Sequence, residues 1–497
     1  MKTQKPLYRL LTVLLIVVLS LSSCGIIVLN DGSQTTDTEE TEITLGPPTG
    51  TFLPSDWVPK EEIDGLAISQ NRLEALPSGD LNGLSTFVAV EAETGNFWND
   101  EEGLYVLPLA IRNTLVSEKY NTRIISQYRD AATLLAEIRA SDKANDYYAD
   151  LAVFSHITLG TYSSGGYIYN LNSLPHTDYS AVYYDQEAMA QLTVGGVVYA
   201  AVGEATAQME QYACLYVNRT LGEHNGVTVD YDALYNGSFT WESLLASMKA
   251  LPEEIPVFTT TYDRDTFAVM TYYSQNKAFL MPDENGRLAS VGNTTATADL
   301  VALIKQILPL RVESLSLPST ESGDETAAAE TTVSGWELFT GGHTIYTFGL
   351  LGDMTSLENV GFRWEVMPYP KQTESEEYGT PVHNHAPVMA ALTTGENIDT
   401  VGYILQALHA ASHDYLHQAF YDAATQRWIT GAHTLDMIDL IRENPIYDYA
   451  RMFGVNSSTL REGTFRAYFR AITENSSTDT CFKRYEKQLK NYLNSLK

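Results

Sequence analysis

The sequence predicts an α/β protein with a parallel sheet, and three observations carry that expectation. Strand-like and helix-like runs alternate β-α-β-α-β between residues 84 and 154, the order that builds a sheet covered by helices on both faces. Hydrophobic residues make up 44% and aromatic residues 11% of the 497 positions, a folding composition rather than a disordered one. At about 150 residues per domain, the length leaves room for about three units.

The elements follow in order. Thr86-Phe87-Val88-Ala89-Val90 is β-rich, and residues 104–120 have helical spacing with Leu104, Leu107, Leu115 and Val116 apolar. Asn121-Thr122-Arg123-Ile124-Ile125-Ser126 reads as a second strand. Residues 130–141 read as a helix with Leu134, Leu135 and Ile138 on one side. Asp150-Leu151-Ala152-Val153-Phe154 is a third strand with an apolar centre. In the middle, residues 195–202 and 213–217 read as strands, Thr240 as an N-cap for a helix starting at Trp241, and residues 297–308 as a helix. Residues 312–334, rich in Ser, Thr, Glu and Ala, read as a solvated loop. Beyond Gly395 the pattern is mostly helical, over residues 399–412, 413–424, 434–442, 460–475 and 479–496.

Charge narrows the partners. With 31 Lys+Arg against 62 Asp+Glu the formal net charge is −31. That opposes nucleic acid, whose phosphates need a basic face, and adsorption to anionic lipid. Three cysteines exclude a disulfide-stapled mini-domain. Cys214 and Cys481 read as buried free thiols, with a pairing between them as the alternative.

The first residues read as an export signal. Lys2, Lys5 and Arg9 precede an apolar run over residues 10–21, the charge and length pattern of a secretory leader. Leu21-Ser22-Ser23-Cys24-Gly25 resembles the lipobox of bacterial lipoproteins. The resemblance implies cleavage after Ser23 and a thioether lipid on Cys24, giving a signal peptide over 1–23. Apolar residues continue to Leu29, so an uncleaved membrane anchor is the alternative. Residues 31–51 are nearly devoid of apolar side chains and read as a tether. Residues 24–83 are therefore expected to comprise the lipidated cysteine, this tether and an N-terminal extension.

A second resemblance covers residues 84–497. Gly195-Gly196-Val197-Val198-Tyr199-Ala200-Ala201-Val202-Gly203-Glu204 resembles the strand that leads into the hinge of the extracellular solute-binding proteins of ABC importers. Asp150-Leu151-Ala152-Val153-Phe154, Gly166-Tyr167-Ile168-Tyr169-Asn170-Leu171, Leu215-Tyr216-Val217-Asn218-Arg219-Thr220 and Thr240-Trp241-Glu242-Ser243-Leu244 are similar to further family segments, as are Phe339-Thr340-Gly341-Gly342-His343-Thr344-Ile345-Tyr346 and Val366-Met367-Pro368-Tyr369-Pro370-Lys371. They occur in the family's order, although Gly341-Gly342-His343 lacks the family's usual lysine. The resemblance implies a two-lobe, periplasmic-binding-protein-like fold of type II, with a hinge and a cleft between the lobes. Lobe one is expected at 84–204 plus 342–380, and lobe two at 205–341 plus 381–497.

On this reading a small solute, expected to be a carbohydrate, is captured between the lobes of a monomer and passed to the transmembrane subunits of an ABC permease. A secreted polysaccharide-active enzyme and a ligand sensor for a membrane kinase are the alternatives. The sequence contains no nucleophile elbow, phosphate-binding loop or H-E-x-x-H motif, so no catalytic residue and no cofactor are expected. His383-Asn384-His385 offers two imidazoles where a metal site needs three or four ligands, His409, His413 and His417 at four-residue spacing read as a surface helix face rather than a metal site, and no metal is expected. The chain has 31 Tyr, 16 Phe and 6 Trp. Aromatic rings stack on the C–H faces of sugars while polar neighbours pair with the hydroxyls. The candidate ligand-binding residues are Phe97, Trp98 and Asn99 after the first strand, His156 after the third, Glu204 at the hinge and Phe348 at a later strand end. Tyr262, Asp263, His383 and Asn384 are the candidates facing them from lobe two.

Overall fold

The computed structural model describes residues 64–94, 104–276, 279–282, 288–290, 292–318, 330–428, 431–454, 458–474 and 476–495. Cys24, the leader and the tether lie outside the described residues, as do Phe97, Trp98 and Asn99. Among the described residues no helix is long and apolar enough to cross a membrane.

The strands that organise the chain are β1 (Ser85–Glu91), β2 (Arg123–Arg129), β3 (Leu151–Ser155), β4 (Ala213–Asn218), β5 (Phe258–Thr260), β6 (Tyr346–Leu350), β7 (Trp364–Met367) and β8 (Pro387–Ala391). The first sheet has the order β8-β3-β1-β2. Its first three strands are parallel, with Ser85 opposite Arg123 and Val88 opposite Leu151, and β8 returns antiparallel to β3. The second sheet has the order β7-β4-β6-β5, with β4 antiparallel to both neighbours and β5 parallel to β6. The mixed α/β content and the two sheets agree with the expected two-lobe fold.

Local chemistry explains the helices. Asp130 caps Ala131–Ala144 by accepting from Thr133 N, and Asn145 ends it in the left-handed region. Thr240 and Ser243 form a capping box at the start of Trp241–Lys249. The helices Val106–Tyr120 and Ile398–Ala410 pack on one another, and Ile398–Ala410 also packs on β1. The extension before β1 is described from Asp64. Its helix Gly65–Ala75 docks on Tyr415–Ala423 through Gly65 N to Gln418 Oε1 at 2.8 Å and an Arg72–Asp414 ion pair.

Three expectations are corrected. Residues 195–202 are not one strand: Gly195 and Gly196, both at positive φ, make the two-residue turn of a hairpin between Thr193–Val194 and Val197–Val198. Residues 312–334 are not wholly a loop, because Ser314–Pro318 pairs with Glu330–Ser334. The expected lobe boundaries also fail. Residues 346–350 and 364–367 belong to the second sheet, since β6 and β7 both hydrogen-bond to β4, and residues 387–391 belong to the first, since β8 pairs with β3.

Between the sheets the chain passes through segments that bond to each other and to β8. Ala201 bridges Met389, Tyr212 bridges Val382, and Thr380–Pro381 runs parallel to Pro445–Ile446. The C-terminal helices then divide. Tyr449–Gly454 packs on residues 156–164, while Phe465–Thr473 packs on the helices Arg264–Asn276 and Thr295–Ile307.

Phe348, expected at a ligand, is instead core. It is fully buried among Trp241, Phe258, Phe267 and Tyr369, with ring centroids 4.8–5.7 Å away. Phe348→Ala should therefore cost about 3–5 kcal/mol of stability in equilibrium urea unfolding; a loss below about 1 kcal/mol, with any ligand affinity reduced, would return it to the cleft.

Candidate functional site

At the carboxyl ends of β1 and β3 the first sheet ends in a polar cluster. Ser155, the last residue of β3, is fully buried and its hydroxyl donates to Glu91 Oε1 at the end of β1. With its proton committed there, Ser155 Oγ accepts from His385 Nδ1 at 3.2 Å. That fixes the His385 tautomer and leaves its Nε2 with a lone pair. Burial raises the Glu91 pKa against the opposing hydrogen bond from Ser155. Its Oε2 is buried without a partner among the described residues.

His383 stands two residues before His385, on the segment that enters β8 from the second sheet. Its Nδ1 lies 3.1 Å from Gln211 Oε1 on the preceding crossing segment and 3.5 Å from the backbone N–H of His385. Its ring lies nearly parallel to Tyr262, 6.1 Å between centroids, and 5.3 Å from the His385 ring. Burial first, and Arg451 second, push His383 down to about 3. Burial also lowers His385, with Glu93 opposing and Arg451 assisting. Both rings are neutral at ordinary pH, and both are partly exposed.

Arg451 supplies the local positive charge. Its guanidinium is buried, donates to Val382 O at 3.0 Å and to Asn384 Oδ1, and lies over the Tyr273 ring at 4.9 Å. Asp448, one turn earlier, accepts from Tyr273 Oη, Phe279 N and Leu280 N, and burial pushes it up to about 6. Asn384 is therefore oriented by a cation, not free. His156 is fully buried, edge-on to Tyr447 at 5.1 Å, and both ring nitrogens are without partners among the described residues. Burial holds its pKa well below the usual imidazole value.

The sequence-predicted residues thus separate. His383, Asn384 and Tyr262 come together, with His156 close behind Ser155. Tyr262 is itself buried, and its Oη donates to Gly349 O at 2.7 Å. Asp263 is exposed and caps the helix Arg264–Asn276, accepting from Thr266 N at 2.7 Å. Glu91, Ser155, Gln211 and Arg451 were missed. A carboxylate and a serine ending two adjacent parallel strands would have pointed to the first two; nothing in the local sequence marks the others.

Glu204 is elsewhere. It is buried at the start of a crossing segment and accepts from Asp414 N at 2.8 Å and His417 N at 3.1 Å, capping the helix Tyr415–Ala423 from outside. His413 Nδ1 and His417 Nδ1 lie 2.8 and 2.9 Å from its Oε1. Burial would raise this carboxyl, but the two imidazoles overcome it and hold it well below the usual range. His409, expected to stack with His413 and His417, lies in the core on the separate helix Ile398–Ala410, and its Nδ1 contacts Leu405 O. Glu204, His413 and Asp414 have donor atoms within 4.8 Å of one another, a spacing that suits a metal ion. Those donors are already engaged, by backbone amides at Glu204 and by Arg72 at Asp414.

The cluster at Glu91, Ser155 and His385 does not assemble a nucleophilic triad. The carboxylate takes the serine proton directly instead of orienting the imidazole, and the hydroxyl is buried. What it offers is neutral donors and acceptors beside an aromatic ring.

No protein-family model and no curated protein sequence matches the chain. Solved structures do. The cyclic α-maltosyl-1,6-maltose binding protein from Arthrobacter globiformis is similar at a TM-score of 0.57 and 13% identity, covering 83% of this chain and 99% of that one. The sugar-binding protein MalE from Xanthomonas citri gives 0.55 and 10%, covering 83% and 98%. The galacto-N-biose/lacto-N-biose I-binding protein of the ABC transporter from Bifidobacterium longum gives 0.54 and 13%, covering 84% and 98%. The chain has the two-lobe, periplasmic-binding-protein-like fold that these binding proteins share.

Because Glu204 caps a helix rather than facing the cluster at His383, Glu204→Ala should cost about 2 kcal/mol or more in urea unfolding at neutral pH. Wild-type stability in that variant, together with weakened ligand binding, would contradict the assignment.

Proposed function

We propose that this chain is the solute-binding component of an ABC importer, held outside the cell by a lipid on Cys24, which captures a saccharide between its lobes and delivers it to the permease. The observation that carries the reading is the pair of neutral, partly exposed imidazoles, His383 and His385, on the segment joining the two sheets. Each has Nδ1 engaged by a neighbour, which leaves Nε2 for a hydroxyl, a group that both donates and accepts. The buried Tyr262 ring packs beside His383 and backs it from the second sheet's side. Neutral groups suit an uncharged polyol, since a charged ligand would have to be desolvated without a counter-ion. The likeness to sugar-binding proteins supports the same class, and the basic and apolar leader ending at Cys24 supports export and anchoring.

Capture needs a ligand that interacts better with closed lobes than with open ones. A group carried on a crossing segment can meet a ligand from both sides, and His383 is so placed.

A thermal-shift screen of the purified protein against a saccharide panel, with calorimetry on each hit, tests this. At least one oligosaccharide should raise Tm. His383→Ala should weaken its binding about tenfold, which is about 1.4 kcal/mol, with the ligand-free Tm little changed. A panel with no hits, or an unchanged Kd in His383→Ala, overturns the reading.

A further inference from the structure

We propose that His417 is a proton-operated latch between the two lobes: neutral, it is bonded to Arg442 and ties them; protonated, it turns to Glu204 and frees that tie. The geometry that carries this is a single contested nitrogen. His417 Nδ1 lies 2.9 Å from Arg442 Nη2 and 2.9 Å from Glu204 Oε1. A guanidinium only donates and a carboxylate only accepts. A ring nitrogen carries either a lone pair or a proton, so it satisfies one partner at a time. Neutral with its proton on Nε2, the ring accepts from Arg442 at Nδ1; protonated, both nitrogens donate and Nδ1 serves only Glu204.

The two partners belong to different parts of the fold. Glu204 lies where the chain leaves the first sheet, and His417 lies on Tyr415–Ala423, which packs on the helices Gly65–Ala75 and Val106–Tyr120. Arg442 ends the helix Thr434–Arg442, which packs on β7 of the second sheet and is fixed there by Thr434 Oγ1 donating to Glu365 Oε1 at 2.6 Å. Arg442 Nη1 also donates to Tyr421 Oη at 2.8 Å, which itself donates to Asp439 Oδ1 at 2.6 Å. The same two helices are thus joined twice, and one of the joints contains a titratable acceptor.

The charged and titratable surroundings are complete enough to fix the sign. His413 and Asp414 precede His417, and Asp414 is paired with Arg72 from Gly65–Ala75. Tyr183, Tyr184, Asp185 and Tyr212 line the same pocket of about 150 Å³ with Glu204, His413, His417 and Arg442, and Asp185 caps the next helix. Burial first lowers the His417 pKa; Glu204 opposes this and Arg442 adds to it, and the net shift is downward. The folded protein therefore resists a proton that the unfolded chain accepts near the ordinary imidazole value of about 6.5. The stability that the neutral ring contributes is therefore fully present above that pH and is lost as the pH falls from it through the lower folded-state value, where the Arg442 bond itself breaks. His417 is 24% exposed, so protons reach it from solvent.

The test uses ligand-free protein, so its outcome is separate from that of the saccharide reading. The imidazole titration of His417 is followed by NMR in wild type and in Arg442→Met. Removing the donor leaves Glu204 as the stronger neighbour, and the midpoint should rise by about one pH unit, a tenfold easier protonation. In His417→Gln the amide donates to Glu204 and accepts from Arg442 at once, independently of pH. The increase in radius of gyration expected for wild type between pH 7.5 and the acid side of its His417 midpoint, measured by small-angle X-ray scattering, should therefore be absent from this variant; the comparison removes the contribution of the other histidines. A midpoint that is unmoved or lower in Arg442→Met, or a His417→Gln protein that expands on acidification as wild type does, overturns the latch.

Discussion

A chain that passes repeatedly between two sheets must bury its own backbone, and every buried N–H and C=O then needs a partner. This constraint governs the molecule. The crossing segments meet it by bonding to one another, Tyr212 with Val382 and Thr380–Pro381 with Pro445–Ile446, and to the first sheet, Ala201 with Met389 on β8. Each of these ties is short, two or fewer ladder positions, in contrast to the seven-residue register between β1 and β2. A short ladder holds the two sheets in relation to one another while leaving little structure to break when they move.

The candidate site follows from the same constraint. His383 and Asn384 stand on one crossing segment and Gln211 on another, and the Arg451 guanidinium bonds to the carbonyl of Val382. Buried side-chain charge at this junction would be costly unless paired. Asp448 takes three donors instead, and Arg451 is shared between a carbonyl, an amide oxygen and the face of Tyr273. The same guanidinium helps to keep His383, His385 and His156 uncharged. Polar groups that brace the hinge thus also set the protonation of those that would meet a ligand.

How much of this was legible in the sequence depended on whether the signal was local. The caps at Asp130 and Thr240 and the alternation of the first five elements are local, and the structure places them within a few residues of expectation. Strand partners are not local. The runs at 346–350 and 364–367 read as strands equally well in either sheet, and only pairing with β4 decides. Glu204 reads as a hinge residue and Phe348 as a strand end, but neither position says which way a side chain points. One turned to a helix N-terminus and the other into an aromatic core. His383 and Asn384 were legible because an unusual polar triplet with a second histidine interrupts an otherwise apolar stretch. Arg451, in a helix far along the chain, had no such mark.

In the proposed function the two lobes close over a solute about these short ties. The most direct measurement is the distance between spin labels at Ala132 and Thr261, exposed positions just beyond the carboxyl ends of β2 and β5. The two cysteines of the folded part, Cys214 and Cys481, are buried and will not compete for label. Double electron–electron resonance with and without a saccharide that binds should show a shorter and narrower distribution in its presence. An identical distribution at saturating ligand would contradict closure, and with it the central claim.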